Sequence, residues 1–455
     1  MSPVTPHPST SVAHRVLDRF LEEWAEAVAR GLRSARPDVA EGEEPAPHRV
    51  VFVDGFCNSG GRHVLVGPGR GAEPGSASRG VRALDRLAAR APGARVPLQT
   101  AAVLVEADPA ELERLERELE RTGAGHRVRR TDDPASLAPG EVALLHLEWA
   151  DAAERVARFV AGADHALCFL APPSPGKLPL ASLRPFLASP RADVLLSMPH
   201  ADLLRQARYR DSTIADLPAH ARQLVEGYSA LFADARYEWL TLWRAAEREA
   251  GLGEAELRLA ERYAERLGEA AGPARQLRHV PLFLSDEPAD SLHLFLATGD
   301  PLRSLALNQA LRDAEVEDRA NLDRGFRAEA PVGEEAGGTL ELFGSEDTGG
   351  TPDRPASRDV ELGLLSRTLR ERFRGRTVEY GEVLRGLAGT DLTPDEVRRA
   401  MAALKRTGEA AYRSLSDADA EVAFPETPVP PARPRRARRG AEMPLLGGLE
   451  YEGEG

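Results

Sequence analysis

Apolar positions run along this chain in two rhythms. In SVAHRVLDRFLEEWAEAVARGL, Val16, Phe20, Trp24 and Val28 recur at four-residue spacing, which predicts a helix with one core-facing stripe. After a polar, proline-broken stretch from Arg36 to Pro47, the spacing changes. VVFVDGF is a continuous apolar run that ends in Asp54 and Gly55, the pattern of a buried parallel strand entering a loop. AAVLVEAD, at 101 to 108, repeats it, and PAELERLERELERTG then predicts a helix with Pro109 in its first turn and Gly123 beyond its end. EVALLHLEW, HALCFLAPP and ADVLLSMP continue the series. Strands separated by helical stretches predict an α/β fold with a doubly wound, Rossmann-type sheet and helices on both faces.

From this alternation the chain divides as follows. Residues 1–47 form the first helix and lead-in, and 48–326 the sheet domain, with a helical insertion at about 200–270 that carries two of the four tryptophans. RQLRHVPLFLSD and SLHLFLATGDP read as a closing hairpin, and LRSLALNQALRDAEV as the helix after it. Residues 327–358 are rich in Gly, Glu, Pro and Thr and read as a flexible linker. Between 359 and 424, three helical segments and a hairpin made of EAAYRSL and AEVAF predict a winged-helix-like domain. Thr393, Pro394 and Glu396 supply the cap of its third helix. Residues 425–455 are low in complexity and read as a disordered tail.

Composition narrows the function classes. The 455 residues carry 59 basic and 72 acidic side chains, a net charge of −13, so bulk charge does not draw this molecule to nucleic acid or to an anionic membrane. Any such contact has to be local. No apolar run approaches the roughly eighteen residues that a membrane span needs, and the first residues lack the pattern of a secretory leader. Two cysteines, Cys57 and Cys168, exclude a disulfide framework, and a cytoplasmic location is expected. Because neighbouring strands of such a sheet can bring the two together, they share one candidate region, with hydrophobic filling as their expected role. The histidines, among them His146, His165, His200, His279 and His293, show no ligand spacing, so no metal site is expected.

The candidate chemistry lies at strand ends. Ligands of doubly wound sheets sit beyond the carboxyl ends of the strands near the switch point, where small residues admit a nucleoside. Asp54, Gly55, Ser59 and Gly60 follow the first strand, and Glu106 ends the second, where a carboxylate can accept hydrogen bonds from ribose hydroxyls. The G-x-G-x-x-G fingerprint is absent. A tight turn and a helix N-cap are the alternative uses of the same residues.

These motifs carry a resemblance. From the first helix to the last domain, most of residues 14–424, the chain resembles the three-Cys-motif partner proteins (TcmP). Their Asp-Gly-Phe-Ala-Gly type motif stands here as Asp54-Gly55-Phe56-Cys57-Asn58-Ser59-Gly60, and their Gly-Ser-Pro element as Gly75-Ser76-Ala77. VLVEAD, FADARYEWLTLWR, LFLATGDP and the TLELF patch extend the likeness. The resemblance implies a methyltransferase-like fold that binds S-adenosylmethionine, a partner with three clustered cysteines encoded nearby, and a role in mobile-element or phage conflict. It implies that Asp54 to Gly60, Phe56 included, hold the methionine end of the cofactor, that Glu106 holds its ribose, and that Asp132 or Asp133 lies near its adenine. The chain departs from the family at the fourth predicted strand, where Ala171-Pro172-Pro173-Ser174 replaces an Asp-Pro-aromatic-Gly motif. The carboxylate expected there is missing, so no catalytic residue is assigned. Lys177, just beyond, reads as an exposed loop lysine.

The C-terminal region offers basic candidates for DNA or RNA. Arg398 and Arg399, with Lys405 and Arg406, lie on its third predicted helix, and Arg435, Arg436, Arg438 and Arg439 form an arginine-rich run in the tail. Solvated charges on a protein-docking domain are the competing reading. Two functions follow: a cofactor-binding, methyltransferase-like protein, or a catalytically silent adaptor that binds through its C-terminal region.

Overall fold

The structure is a computed structural model that describes residues 8–34, 45–57, 74–91, 96–199, 211–283, 291–300, 302–314, 354–387, 389–415 and 418–428. The chain divides into two compact units, Met1–Ser345 with Leu384–Asp395, and Glu346–Val383 with Glu396–Gly455. Most of the predicted linker, and the tail beyond residue 428, lie outside the described residues.

The apolar runs of the larger unit become the strands β1 (His48–Asp54), β2 (Leu98–Val105), β3 (Val128–Arg130), β4 (Val142–Leu145), β5 (His165–Leu170), β6 (Ala192–Pro199), β7 (Gln276–Phe283) and β8 (Ser291–Thr298). Among the described residues they form one sheet in the order β3-β4-β2-β1-β5-β6-β8-β7. All neighbours from β3 to β6 pair in parallel, whereas β8 runs antiparallel to both β6 and β7, so the predicted hairpin closes the sheet. β1 therefore lies between β2 and β5, with Asp54 opposite Leu104 on one side and Phe169 on the other.

Strand alternation sends the two halves of each apolar run to opposite faces. Val50, Phe52, Ala102, Leu104, Val142 and Leu144 pack with the helices α1 (Pro8–Ser34), α2 (Ser76–Arg90), α3 (Pro109–Arg121) and α9 (302–314). Val51, Val53, Val103, Val105, Ala143 and Leu145 pack on the other face with α4 (Trp149–Ala161), α5 (Leu180–Ala188), α6 (Ala219–Phe232), α7 (Glu238–Ala250) and α8 (Leu252–Ala271). The stripe predicted for α1 is buried along its length: Val16, Phe20, Trp24 and Val28 are all at most 1% exposed. α3 begins as its sequence predicts, with Pro109 in its first turn and the Asp108 carboxylate accepting the N–H of Ala110.

A buried polar knot fixes α1 to the sheet. Asp193 on β6 accepts the Trp24 indole N–H at 3.0 Å and the Thr298 hydroxyl at 2.5 Å, and the Arg303 guanidinium lies 3.5 Å from the same carboxylate. A buried carboxylate is tolerated where donors and a cation meet it in this way. α2 reaches β1 through Gly80, where an added Cβ would lie 2.0 Å from the Phe52 ring.

The smaller unit holds α10 (Arg354–Phe373) and the strands β9 (Arg376–Glu379), β10 (Ala411–Tyr412) and β11 (Glu421–Phe424), which form an antiparallel sheet in the order β10-β11-β9. α11 (Tyr380–Arg385) and α12 (Pro394–Thr407) lie between β9 and β10 in sequence, each with a few residues counted in the larger unit. Val378, Val397, Met401, Leu404, Val422 and Phe424 are buried there. The strand β9 was not among the predicted elements. Four residues with Val378 as the only buried one leave too little pattern to read.

Candidate functional site

The carboxyl ends of β1 and β2 meet on the α2 side of the sheet. Asp54 is the last residue of β1 and is fully buried. Beyond it the chain threads between two neighbours, since Gly55 N–H donates to Phe169 O and Cys57 N–H to Val105 O, both at 3.1 Å. Asp54 Oδ1 accepts the N–H of Phe56 at 3.1 Å, while Oδ2 has no hydrogen-bond partner among the described residues. Burial pushes the Asp54 carboxyl up to about 6. The Ser76 side chain beside it and the Phe56 N–H pull it back, and the nearby Glu106 adds to the rise. Ser76 opens α2, so this carboxylate faces the positive end of a helix.

Glu106 follows β2 directly and is 8% exposed. Its Oε1 accepts the N–H of Asp108 at 2.9 Å, and its own N–H donates to Leu145 O at 3.1 Å. Burial raises its pKa, opposed by the backbone N–H groups of Asp108 and Ala107. Asp54 and Glu106 thus stand on adjacent strands, and the charges that act on both of them are acidic. A ligand offering an ammonium group or hydroxyl donors matches this environment, whereas a phosphate does not.

The lead-in to α2 is held from the other side by a carboxylate that sequence reasoning missed. Glu118, buried on α3, accepts the N–H of Gly75 at 2.9 Å. A helical glutamate between leucines looks solvated in sequence. Only the packing of α3 shows its use.

Gly55 has a packing reason. A Cβ there would come within 2.3 Å of Leu170 Cδ2 and 2.8 Å of Trp149 Cε3, so its missing side chain makes room for this protein's own core. Phe56 is half-buried, its ring 6.0 Å from that of Trp149. Trp149 is fixed in turn by a 2.9 Å hydrogen bond to Ser182 Oγ and by stacking on Phe186.

The structure does not bring Asp132 to this place. Among the described residues β3 pairs with β4 alone, and β4 lies between it and β2, so the strand that Asp132 follows stands two strand spacings, about 10 Å, from β2, and Asp132 itself is exposed. Its carbonyl accepts the Arg155 guanidinium. The residue that follows the strand beside β2 is His146, whose Nε2 is 3.0 Å from Ala107 O. Ser59 and Gly60 lie outside the described residues.

After β5, Ala171 is partly buried against the α1–α3 side of the core and brings no polar group. The turn Pro175–Lys177 lies against α6, where a Cβ on Gly227 would meet Gly176 Cα at 2.7 Å. Lys177, the exposed loop lysine, donates to Glu148 Oε1 at 2.7 Å. The two cysteines do not share a region. Cys57 packs with the α1–α3 face and Cys168 with the α4–α8 face, because Cys168 pairs in register with Val53 and alternation turns both toward α4. Both thiols are buried, and burial pushes both up. Among the described residues no group of three or more His, Cys, Asp or Glu side chains is placed to hold a metal ion, and no helix is long and apolar enough to cross a membrane.

In the smaller unit Arg398 and Arg399 are exposed on α12. Lys405 on the same helix is engaged, donating to Tyr412 O at 2.7 Å and lying 4.2 Å from the Tyr412 ring centre. Arg435, Arg436, Arg438 and Arg439 lie outside the described residues.

No protein-family model and no curated protein matches the chain. Solved structures that it matches include a possible exported protein from Bordetella parapertussis, at 13% identity over 60% of this chain and 78% of that one, with a TM-score of 0.23. A SAM-dependent methyltransferase from Thiobacillus denitrificans, in complex with S-adenosyl-L-homocysteine, matches at 15% identity over 64% of this chain and 95% of that one, with a TM-score of 0.20. Another from Geobacter sulfurreducens, with the same ligand, matches at 13% identity over 60% and 89%, with a TM-score of 0.21.

Proposed function

We propose that the larger unit binds S-adenosylmethionine at the carboxyl ends of β1 and β2. The observation that carries this reading is the fully buried Asp54, with Oδ2 unpartnered among the described residues, beside Glu106 at the end of the next strand. Burying a carboxylate oxygen without a donor is costly, and a ligand ammonium group would supply the missing donor and charge. Glu106, held by the N–H of Asp108, would accept the ribose hydroxyls. When bound, the cofactor supplies a methyl group on a sulfonium centre.

Whether that methyl group is used is a separate matter. The loop after β5 has no carboxylate to orient an attacking amine, and its Pro175–Lys177 turn is packed under α6. This favours a protein that binds the cofactor without transferring its methyl group, an adaptor of the three-Cys-motif partner type acting in the cytoplasm in mobile-element or phage conflict. A protein with three clustered cysteines is its proposed partner. The smaller unit, with its order of helix, strand, two helices and two strands, supports a winged-helix reading. In that reading Arg398 and Arg399, with the arginine run at 435 to 439, would contact DNA or RNA phosphates.

Equilibrium dialysis of labelled S-adenosylmethionine against the full chain and its Glu106→Gln variant tests the first proposal. Saturable binding that weakens in the variant supports it, and no binding by the folded wild type removes it. Salt-dependent DNA and RNA binding, lost on Arg398→Ala/Arg399→Ala substitution, tests the second.

A further inference from the structure

We infer that His146 is the base-binding residue of the cofactor site, a role that rests on the proposed nucleoside binding and replaces the one expected of Asp132. Three strand ends lie side by side. Cys57 N–H bonds to Val105 O on one flank of β2, and Glu106 N–H bonds to Leu145 O on the other, so the next residue of β4's chain, His146, is the neighbour of Glu106. Alternation places them on the same side. Phe52, Leu104 and Leu144 pack toward α1, α2 and α3, and two residues further on Asp54, Glu106 and His146 continue that parity.

The chemistry of a nucleoside then fixes its direction. A ribose carries its base at C1′ and its 5′ substituent at C4′, the two ends of the ring edge that bears the 2′ and 3′ hydroxyls. If Glu106 holds the hydroxyls and Asp54 the amino group at the 5′ end, the base faces away from β1, toward the end of β4. His146 is exposed there, and its ring is held in place. A carbonyl oxygen only accepts, so the Nε2 that lies 3.0 Å from Ala107 O carries the proton, and Nδ1 of the neutral ring is left as an acceptor for an exocyclic amine. Asp132 cannot take this part from the far side of β4.

The test titrates adenosine and S-adenosyl-L-homocysteine into the full chain and its His146→Ala, Asp132→Ala and Glu106→Gln variants, with circular dichroism as a check on folding. The expected result is that His146→Ala weakens both ligands by about tenfold, the scale of one lost polar contact, while Asp132→Ala binds as the wild type does. Undiminished binding by His146→Ala, beside a loss in Glu106→Gln, overturns the role of His146 and leaves the site standing. No binding of either ligand by the wild type overturns both.

Discussion

The indole N–H of Trp24 donates to Asp193 Oδ2 at 3.0 Å, joining positions 169 apart in the sequence. Burial raises the pKa of Asp193, opposed first by the charge of Arg303 and then by the hydrogen bonds of Thr298 and Trp24. Trp24→Phe keeps most of the ring but removes one donor from a buried carboxylate. The variant should lose about 1–3 kcal/mol of stability in urea unfolding. A loss below about 0.5 kcal/mol, the level of an ordinary surface substitution, would mean that this hydrogen bond does not help hold α1 to the sheet.

Two glycines in helices should respond with opposite sign. At Gly80 an added methyl group meets the Phe52 ring from 2.0 Å, so Gly80→Ala should destabilise by about 1–3 kcal/mol through overpacking. At Gly31 an added Cβ would meet no atom within 4 Å outside its own helix among the described residues, and Gly31→Ala should stabilise by about 0.5–1 kcal/mol through helix propensity. Thermal melts of the two variants check this. A stabilising Gly80→Ala would show that α2 does not approach β1 so closely.

Much of the larger unit was legible because its signals are local. A continuous apolar run names a buried strand, and the acid that ends it, Asp54 or Glu106, names the place where a ligand would sit. Pairing order is not local. VRR and VALL are both short strands after α3, and nothing within them says that VALL, not VRR, lies beside β2, which leaves His146 and not Asp132 as the register neighbour of Glu106. EVALLHLEW looked like one strand, but only Val142–Leu145 pair, and the chain leaves the sheet at the residue of interest. The use of Gly55 was hidden for the same reason, since Trp149 comes from a distant helix. Face assignment needs the register as well, which is why Cys57 and Cys168 looked like companions.

The thiols give an inexpensive check of that register. Cys57 and Cys168 are both buried with raised pKa, so an aromatic disulfide reagent at pH 8 should label them only as fast as the protein opens. Both should react promptly in denaturant. Rapid labelling of either in the native protein would contradict its burial.

Asp54 links stability to binding. Its folded pKa of about 6 lies above the ordinary aspartate value of 3.8, so the native state holds this proton more tightly than the unfolded state. The stability it contributes is present below that lower value and is lost as pH rises through about 6. The difference is worth about 3 kcal/mol on the scale of one pK unit per 1.36 kcal/mol. Asp54→Asn should therefore melt above the wild type at pH 7.5, with the gap closing toward pH 4. A gap that does not change with pH would show that Asp54 does not titrate in this range.

Calorimetric titration of S-adenosylmethionine into the wild type and Asp54→Asn, at pH 5 and pH 7.5, tests the cofactor site most directly. The expected result is single-site binding by the wild type that is tighter at pH 7.5, where Asp54 is ionised, and is lost in the stable, folded variant. Equal binding by Asp54→Asn, or none by the folded wild type at either pH, would contradict a cofactor site at these strand ends.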